Sequence, residues 1–245
     1  SMFSFIQKQS ISTLIGLGIT TNALTSLLIT PVFAQSTFYD MQSHWAKSCI
    51  IQLANQGIIN GYPDGSFRPN LSMNRAEFAT IIGNAFPEAV RTRKSVKFVD
   101  VPAYYWAHEQ IAEATQTQFL SGYPGRRFKP EQNVSRSQVL VALTSGLNYS
   151  PTRDTNKTLK VSFADANAIP AYARNRIAAA TEKRLVVNYP NVKLLNPNKK
   201  ATRAEVAAFL CQALVNFSEG SVIPKQYIAD TGNSATAHKL LKNNY

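Results

Sequence analysis

The chain has 245 residues, 44% of them hydrophobic, and a formal net charge of +12 from 26 Lys and Arg against 14 Asp and Glu. That length and content suit one substantial domain or two small ones with a packed core. The charge sets aside cationic partners and favours an anionic one, with nucleic acid, acidic lipid and acidic polysaccharide all qualifying.

Ser1 ahead of Met2 reads as a cloning remnant. The stretch to Ser10 carries Lys8 and no acid, and Ile11 to Thr30 is apolar and uncharged. Small residues Val32 and Ala34 then precede Gln35. A positive start, an apolar middle and a small-residue exit are the marks of a signal peptide over 1–34, which predicts export. An uncleaved membrane anchor is the competing reading, since the apolar stretch is just long enough to span a bilayer.

Three copies of one unit follow, expected over 38–85, 98–146 and 163–215. Phe38-Tyr39-Asp40, Phe98-Val99-Asp100 and Phe163-Ala164-Asp165 open them, and an aromatic comes next at Trp45, Trp106 and Tyr172. Apolar positions at Ile50, Ile111 and Ile177, and at Leu53, Ala114 and Ala180, give the first segment helical spacing. Gly61, Gly122 and Asn188 follow, each before a tyrosine, Tyr62, Tyr123 and Tyr189. These residue types reach positive φ most easily, so a left-handed turn is expected there. Tyr62-Pro63-Asp64-Gly65 reads as a tight turn, with Asp64 in turn chemistry.

A second helix is expected after the N-caps Asn74, Ser135 and Thr202, and Glu77, Gln138 and Glu205 three residues on complete a capping box in each copy. Its buried stripe runs Phe78, Ile81, Ile82, Ala85, then Val139, Ala142, Leu143, Gly146, then Val206, Phe209, Leu210, Ala213. Each unit is thus helix, loop, helix, too short to bury its apolar face alone, so the fold class is all-α with the copies packed together. Residues 84–97 and 145–162 read as polar connectors, and 216–245 as a polar tail ordered only in part. Cys49 and Cys211 sit at helical positions in distant segments; two buried thiols are expected, with a disulfide the alternative that export permits.

These residues resemble a triplet of S-layer homology domains. The family's signature is intact at Thr202-Arg203-Ala204-Glu205; Asn74 replaces its threonine in the first copy, and Ser135-Arg136-Ser137-Gln138 departs at three positions. The degenerate pattern, with Asn188-Tyr189-Pro190 in the third copy, is similar to the cyanobacterial branch. The resemblance implies a pseudo-threefold spindle with a central three-helix bundle and three prongs. It also implies a non-enzymatic envelope protein, in the periplasm or in the wall and S-layer, that binds an anionic, often pyruvylated, polymer linked to peptidoglycan in grooves between prongs.

Arg75, Arg136 and Arg203 each follow an N-cap, where a cation opposes the helix dipole at a cost of roughly 0.3–1 kcal/mol. The caps do not explain them. An internal ion pair is one reading; the favoured one is a carboxylate or phosphate site made of guanidinium and helix amides. The resemblance carries a ligand role onto all three, with Arg136 in the most altered motif. The second repeat's groove is therefore expected to be weaker or altered. Tyr62, Tyr123 and Tyr189 join them as groove residues, while Trp45 and Trp106 are expected in the core.

His44 and His108 suit surface or capping roles, and His238 has no catalytic companions. Arg91-Thr92-Arg93-Lys94 reads as a solvated linker, and export argues against nucleic acid. A calcium loop around Asp64-Gly65 is rejected because Tyr62 and Leu71 fall where carboxylates are needed. No metal, cofactor or catalytic signature is expected. A wall-active enzyme or a porin segment would need sequence outside the repeats. A module of an outer-membrane or S-layer assembly that mainly binds protein partners is the alternative.

Overall fold

The computed structural model describes residues 37–215 and 222–232. The predicted signal peptide over 1–34 and His238 lie outside the described residues. Seven α-helices and no strands occur among the described residues. They are α1 (Lys47–Asn55), α2 (Arg75–Ala85), α3 (His108–Gln116), α4 (Arg136–Gly146), α5 (Thr155–Ser162), α6 (Arg174–Glu182) and α7 (Arg203–Val215). No helix of the described residues is long and apolar enough to cross a membrane.

Local chemistry explains the starts of the second helices and the ends of the first. At α2, α4 and α7 the N-cap side chain accepts from the N3 amide (Asn74 from Glu77 at 2.8 Å, Ser135 from Gln138 at 3.2 Å, Thr202 from Glu205 at 3.2 Å). The N3 side chain accepts back from the cap amide at 2.8, 2.9 and 2.9 Å. Such a cap contributes about 1 kcal/mol. The first helices stop where the chain turns left-handed at Gly57 (φ 72°), Gln118 (φ 68°) and Arg184 (φ 58°).

The turn expected at Gly61, Gly122 and Asn188 is therefore corrected: none of the three has positive φ. The glycines serve close approach. A Cβ on Gly61 would stand 2.3 Å from Cε1 of Phe38, and one on Gly122 would stand 2.3 Å from Cε1 of Phe98. In the third copy Phe163 is buried and the Asn188 side chain is itself buried.

Packing passes from each repeat to the next. The second helix of one copy lies on the first helix of the following copy: α2 on α3, α4 on α6, and α7 back on α1. The backbone repeats this cycle just before each second helix. Met73 N donates to Ala201 O (3.1 Å), Ala201 N to Val134 O (2.9 Å), and Val134 N to Met73 O (3.0 Å). Three amides and three carbonyls thus satisfy one another in a closed triangle, one residue from each repeat. The core is made of the second-helix stripes and the apolar positions of the first helices, with Ile50, Phe78, Ile111, Leu140, Ile177 and Phe209 all buried.

Two expectations change, and part of the tail takes a definite position. Cys49 on α1 and Cys211 on α7 form a disulfide across a sequence separation of 162, so the thiol reading gives way to a bond between the first and third repeats. Ring closure brings α1 and α7 together, which no local pattern reveals. The connector 145–162 contains α5, capped by Asp154, whose carboxylate accepts from Lys157 N at 2.7 Å, and α5 packs on α6. Of the tail, 222–232 docks on the third repeat: Asn188 N donates to Tyr227 O (2.8 Å) and Ala229 N to Val186 O (2.9 Å), with Ile223 and Ile228 buried.

Candidate functional site

The loop between the two helices of each repeat is held first by the aspartate that opens that repeat. Asp40 accepts from the amides of Phe67 (2.9 Å) and Arg68 (2.7 Å), Asp100 from Phe128 and Lys129 (both 2.8 Å), and Asp165 from Leu195 (2.9 Å) and Asn196 (2.7 Å). Arg68, Lys129 and Asn196 are left-handed, with φ of 57°, 58° and 49°. A carboxylate gripping two successive amides offsets the strain of a non-glycine residue there. Sequence reasoning saw these aspartates only as punctuation. Their recurrence two residues after a phenylalanine at the start of every copy was the available signal.

The motif arginines complete the same loops from the neighbouring repeat. Arg75 donates through Nε to Phe128 O (2.8 Å) and through Nη2 to Ser121 O (2.7 Å). Arg136 donates to Leu195 O (2.7 Å), Val187 O (3.1 Å) and the Asn188 side chain (2.5 Å). Arg203 donates to Phe67 O (2.9 Å) and Asn60 O (2.7 Å). So repeat one grips repeat two, two grips three, and three grips one. The arginines are 4%, 2% and 9% exposed. The cations at the helix starts are therefore buried, and carbonyl oxygens of the next repeat's loop, rather than an aspartate or glutamate alone, are their partners.

The helix amides are also spent. Arg75 N and Ala76 N donate to Gln132 O and Pro130 O, Arg136 N and Ser137 N to Lys199 O and Pro197 O, and Arg203 N and Ala204 N to Leu71 O and Pro69 O. With the N3 amide on its cap, the expected amide cradle for an anion is absent at all three second helices. Each helix start abuts a neighbouring loop, so the dipole's positive end meets carbonyls of the same chain.

One guanidinium edge distinguishes the copies. Arg136 Nη1 pairs with Glu205 at 3.0 Å. Nη1 of Arg75 and Arg203 has no acceptor among the described residues. The sealed, unpartnered side-chain atoms of the described residues are His108 Nδ1 and Gln110 Oε1, so Nη1 of Arg75 and Arg203 still reaches solvent. Burial pushes all three guanidinium pKa values down, opposed by Tyr123 and Asp100 at Arg75, by Glu205 and Asp165 at Arg136, and by Tyr62, Glu77 and Asp40 at Arg203.

The tyrosines lie beside these arginines. Arg75 Cζ sits 4.9 Å from the Tyr123 ring centre and Arg203 Cζ 5.1 Å from that of Tyr62. Tyr189 instead stacks on Trp45, ring centres 5.1 Å apart and planes within 9°, and Tyr227 of the tail meets both rings edge-on. Beside this pair runs a groove of about 290 Å³ whose lining includes Trp45, Tyr189, Lys199, Thr202 and Glu205. Trp45 is partly buried against the core, whereas Trp106, expected in the core, is 59% exposed and its counterpart Tyr172 is 61% exposed. Asp64 accepts from Ser66 N (3.0 Å) and Oγ (2.6 Å) and meets Arg68 at 3.0 Å, the turn role expected of it. His44 Nδ1 accepts from Ala46 N at 3.2 Å. Among the described residues no group of three or more His, Cys, Asp or Glu could hold a metal.

The profile of the S-layer homology domain matches residues 37–79, 97–140 and 162–207. The Surface-layer 125 kDa protein of Lysinibacillus sphaericus is 27% identical over 214 residues, which are 86% of this chain and 18% of that protein. S-layer protein EA1 of Bacillus anthracis is 27% identical over 195 residues, 79% of this chain and 22% of its own length. A Cellulosome-anchoring protein of Acetivibrio thermocellus is 30% identical over 120 residues, 47% of this chain and 27% of that protein. The chain therefore spans well under a third of each of these relatives.

Proposed function

The chain belongs to the S-layer homology domain family, and on that premise we propose that it is an exported protein of the cell envelope that attaches to the wall by its three repeats. The relatives named for the surface layer and for anchoring support attachment as the shared task. The partner is an anionic polysaccharide linked to peptidoglycan, pyruvylated in the case that fits best, and it lies in the grooves beside the prongs. No catalytic role falls to the repeats. An amylopullulanase of Thermoanaerobacterium thermosulfurigenes also matches, but the match covers 9% of that protein.

One observation carries the reading. Arg75 and Arg203 are fixed by two carbonyls each and flanked by a tyrosine, yet keep Nη1 in reach of solvent. A guanidinium held rigid by its other edge loses little entropy on meeting a carboxylate or phosphate. Tyr62 and Tyr123 supply ring surface for a sugar. Arg136 and Tyr189 belong to the same set, with Nη1 already committed to Glu205 and the ring to Trp45. The capping residues Asn74, Glu77, Ser135, Gln138, Thr202 and Glu205 shape the rim without being ligands.

The test is a pull-down with purified sacculi, before and after acid extraction of the linked polymer. Binding should be lost with the polymer. Binding that survives complete extraction makes bare peptidoglycan the ligand, and absence of binding to intact sacculi ends the reading in favour of protein partners in an outer-membrane or S-layer assembly.

A further inference from the structure

The three repeats are not equivalent in charge. We infer that the second prong, over the floor made by Arg75, is the anion-taking site of the three, and that its ligand is a saccharide bearing a carboxylate or phosphate. This rests on the wall-binding reading and refines it.

The second repeat's departures matter at Arg75, not at Arg136. Arg203 feels Glu77 and Arg136 is paired with Glu205, the N3 carboxylates of the first and third second helices. The counterpart beside Arg75 is Gln138, which is neutral and donates to the Tyr123 hydroxyl at 3.3 Å. The carboxylate that acts on Arg75 is Asp100, already gripping the Phe128 and Lys129 amides. Glu131 nearby is bound by the Tyr105 hydroxyl and by Asn74 Nδ2 at 3.2 Å.

The prong also carries a cation at its tyrosine ring that is in no ion pair among the described residues. Lys129 Nζ lies 4.6 Å from the centre of the Tyr123 ring, and Arg126 and Arg127 are exposed at the tip. The first prong's Arg68 is neutralised by Asp64 at 3.0 Å. The third prong has Asn196 in the place of Lys129, and its Tyr189 is stacked on Trp45 and met by Tyr227. Among the described residues no other ring covers Tyr123. An anion arriving at Tyr123 therefore meets a guanidinium in no ion pair and an ammonium beside the same ring, and the Asp100 carboxylate that acts on Arg75 is already held by two amides.

The test restores the missing acid. Gln138→Glu keeps the capping box in the form the other two repeats use, so the fold is preserved, and thermal melting verifies it. Trigalacturonate supplies the carboxylate arm, mannose 6-phosphate the phosphate arm, and maltotriose the neutral control, each titrated calorimetrically into the full chain. Gln138→Glu should weaken the preferred anionic probe by about tenfold, equivalent to about 1.4 kcal/mol, while Glu77→Gln and Glu205→Gln should not weaken it. Unchanged affinity in a folded Gln138→Glu, or no preference of the parent for either anion over maltotriose, overturns the assignment. The sacculus pull-down separates the two readings. Sacculus binding indifferent to Gln138→Glu sinks this site and leaves wall attachment standing, whereas probe binding sensitive to Gln138→Glu without sacculus binding does the reverse.

Discussion

Arg203, in the last repeat, donates through Nε to the carbonyl oxygen of Phe67 in the first, 2.9 Å away across 136 positions of sequence. That bond and its counterparts at Arg75 and Arg136 make the motif arginine a joint between repeats before it is anything else. Arg203→Ala removes a charge-assisted partner from two loop carbonyls and leaves a void beside Phe67. We expect a loss of about 2–4 kcal/mol in urea denaturation, with Arg203→Lys intermediate because it lacks the fork. An unchanged midpoint for Arg203→Ala would return the arginine to the purely ligand-facing role that helix position alone suggests.

The disulfide between Cys49 and Cys211 ties the first repeat to the third across a separation of 162. Closing a loop of that length restricts the unfolded chain by roughly 5 kcal/mol on the chain-entropy account. Melting in dithiothreitol should fall by several degrees for the parent and remain unaffected for the double variant Cys49→Ala, Cys211→Ala. The triangle through Met73, Val134 and Ala201 should keep that variant folded. Equal sensitivity of both proteins to dithiothreitol would show that the bond does not restrain the ring.

Acid should loosen the same ring at Glu205. Burial works to raise its carboxyl pKa, but Arg136, the Thr202 amide and Lys199 outweigh that and hold it below the ordinary glutamate value. Between the folded and unfolded pKa the unfolded chain binds more protons, so stability rises with pH. The contribution is complete above the unfolded value of about 4.3 and disappears as pH falls through the lower folded one. Glu205→Gln retains a cap like that of Gln138, so the stability difference between parent and variant should narrow as pH falls below about 4.3. A difference constant from pH 7 to pH 3 would mean that the pair with Arg136 contributes nothing to stability.

The tail contact predicts a spectroscopic change. Tyr227 meets the ring of Trp45 at 6.3 Å and that of Tyr189 at 4.9 Å. In a Trp106→Phe background, which removes the exposed tryptophan, Tyr227→Ala should shift Trp45 emission to the red as water reaches the indole. Emission that stays in place would show that Tyr227 does not shield the ring.

Much of the molecule is legible in the sequence because its signals are local. Helix spacing, the capping boxes at Asn74, Ser135 and Thr202, and the Asp64 turn each involve groups within a few positions of one another. A threefold repetition of such signals identifies the unit and its copy number. Only the tertiary structure decided where the arginines point, which carbonyls take up the helix-start amides, which residues pair as Cys49 and Cys211 do, and why Trp106 is exposed while Trp45 is covered. The partners of Arg75, Arg136 and Arg203 lie between 46 and 143 positions away. Which repeat supplies them depends on the ring closing from the third repeat onto the first. That closure comes from each short helix pair burying its apolar face on the next copy, a condition spread over the whole chain and written at no single position in it.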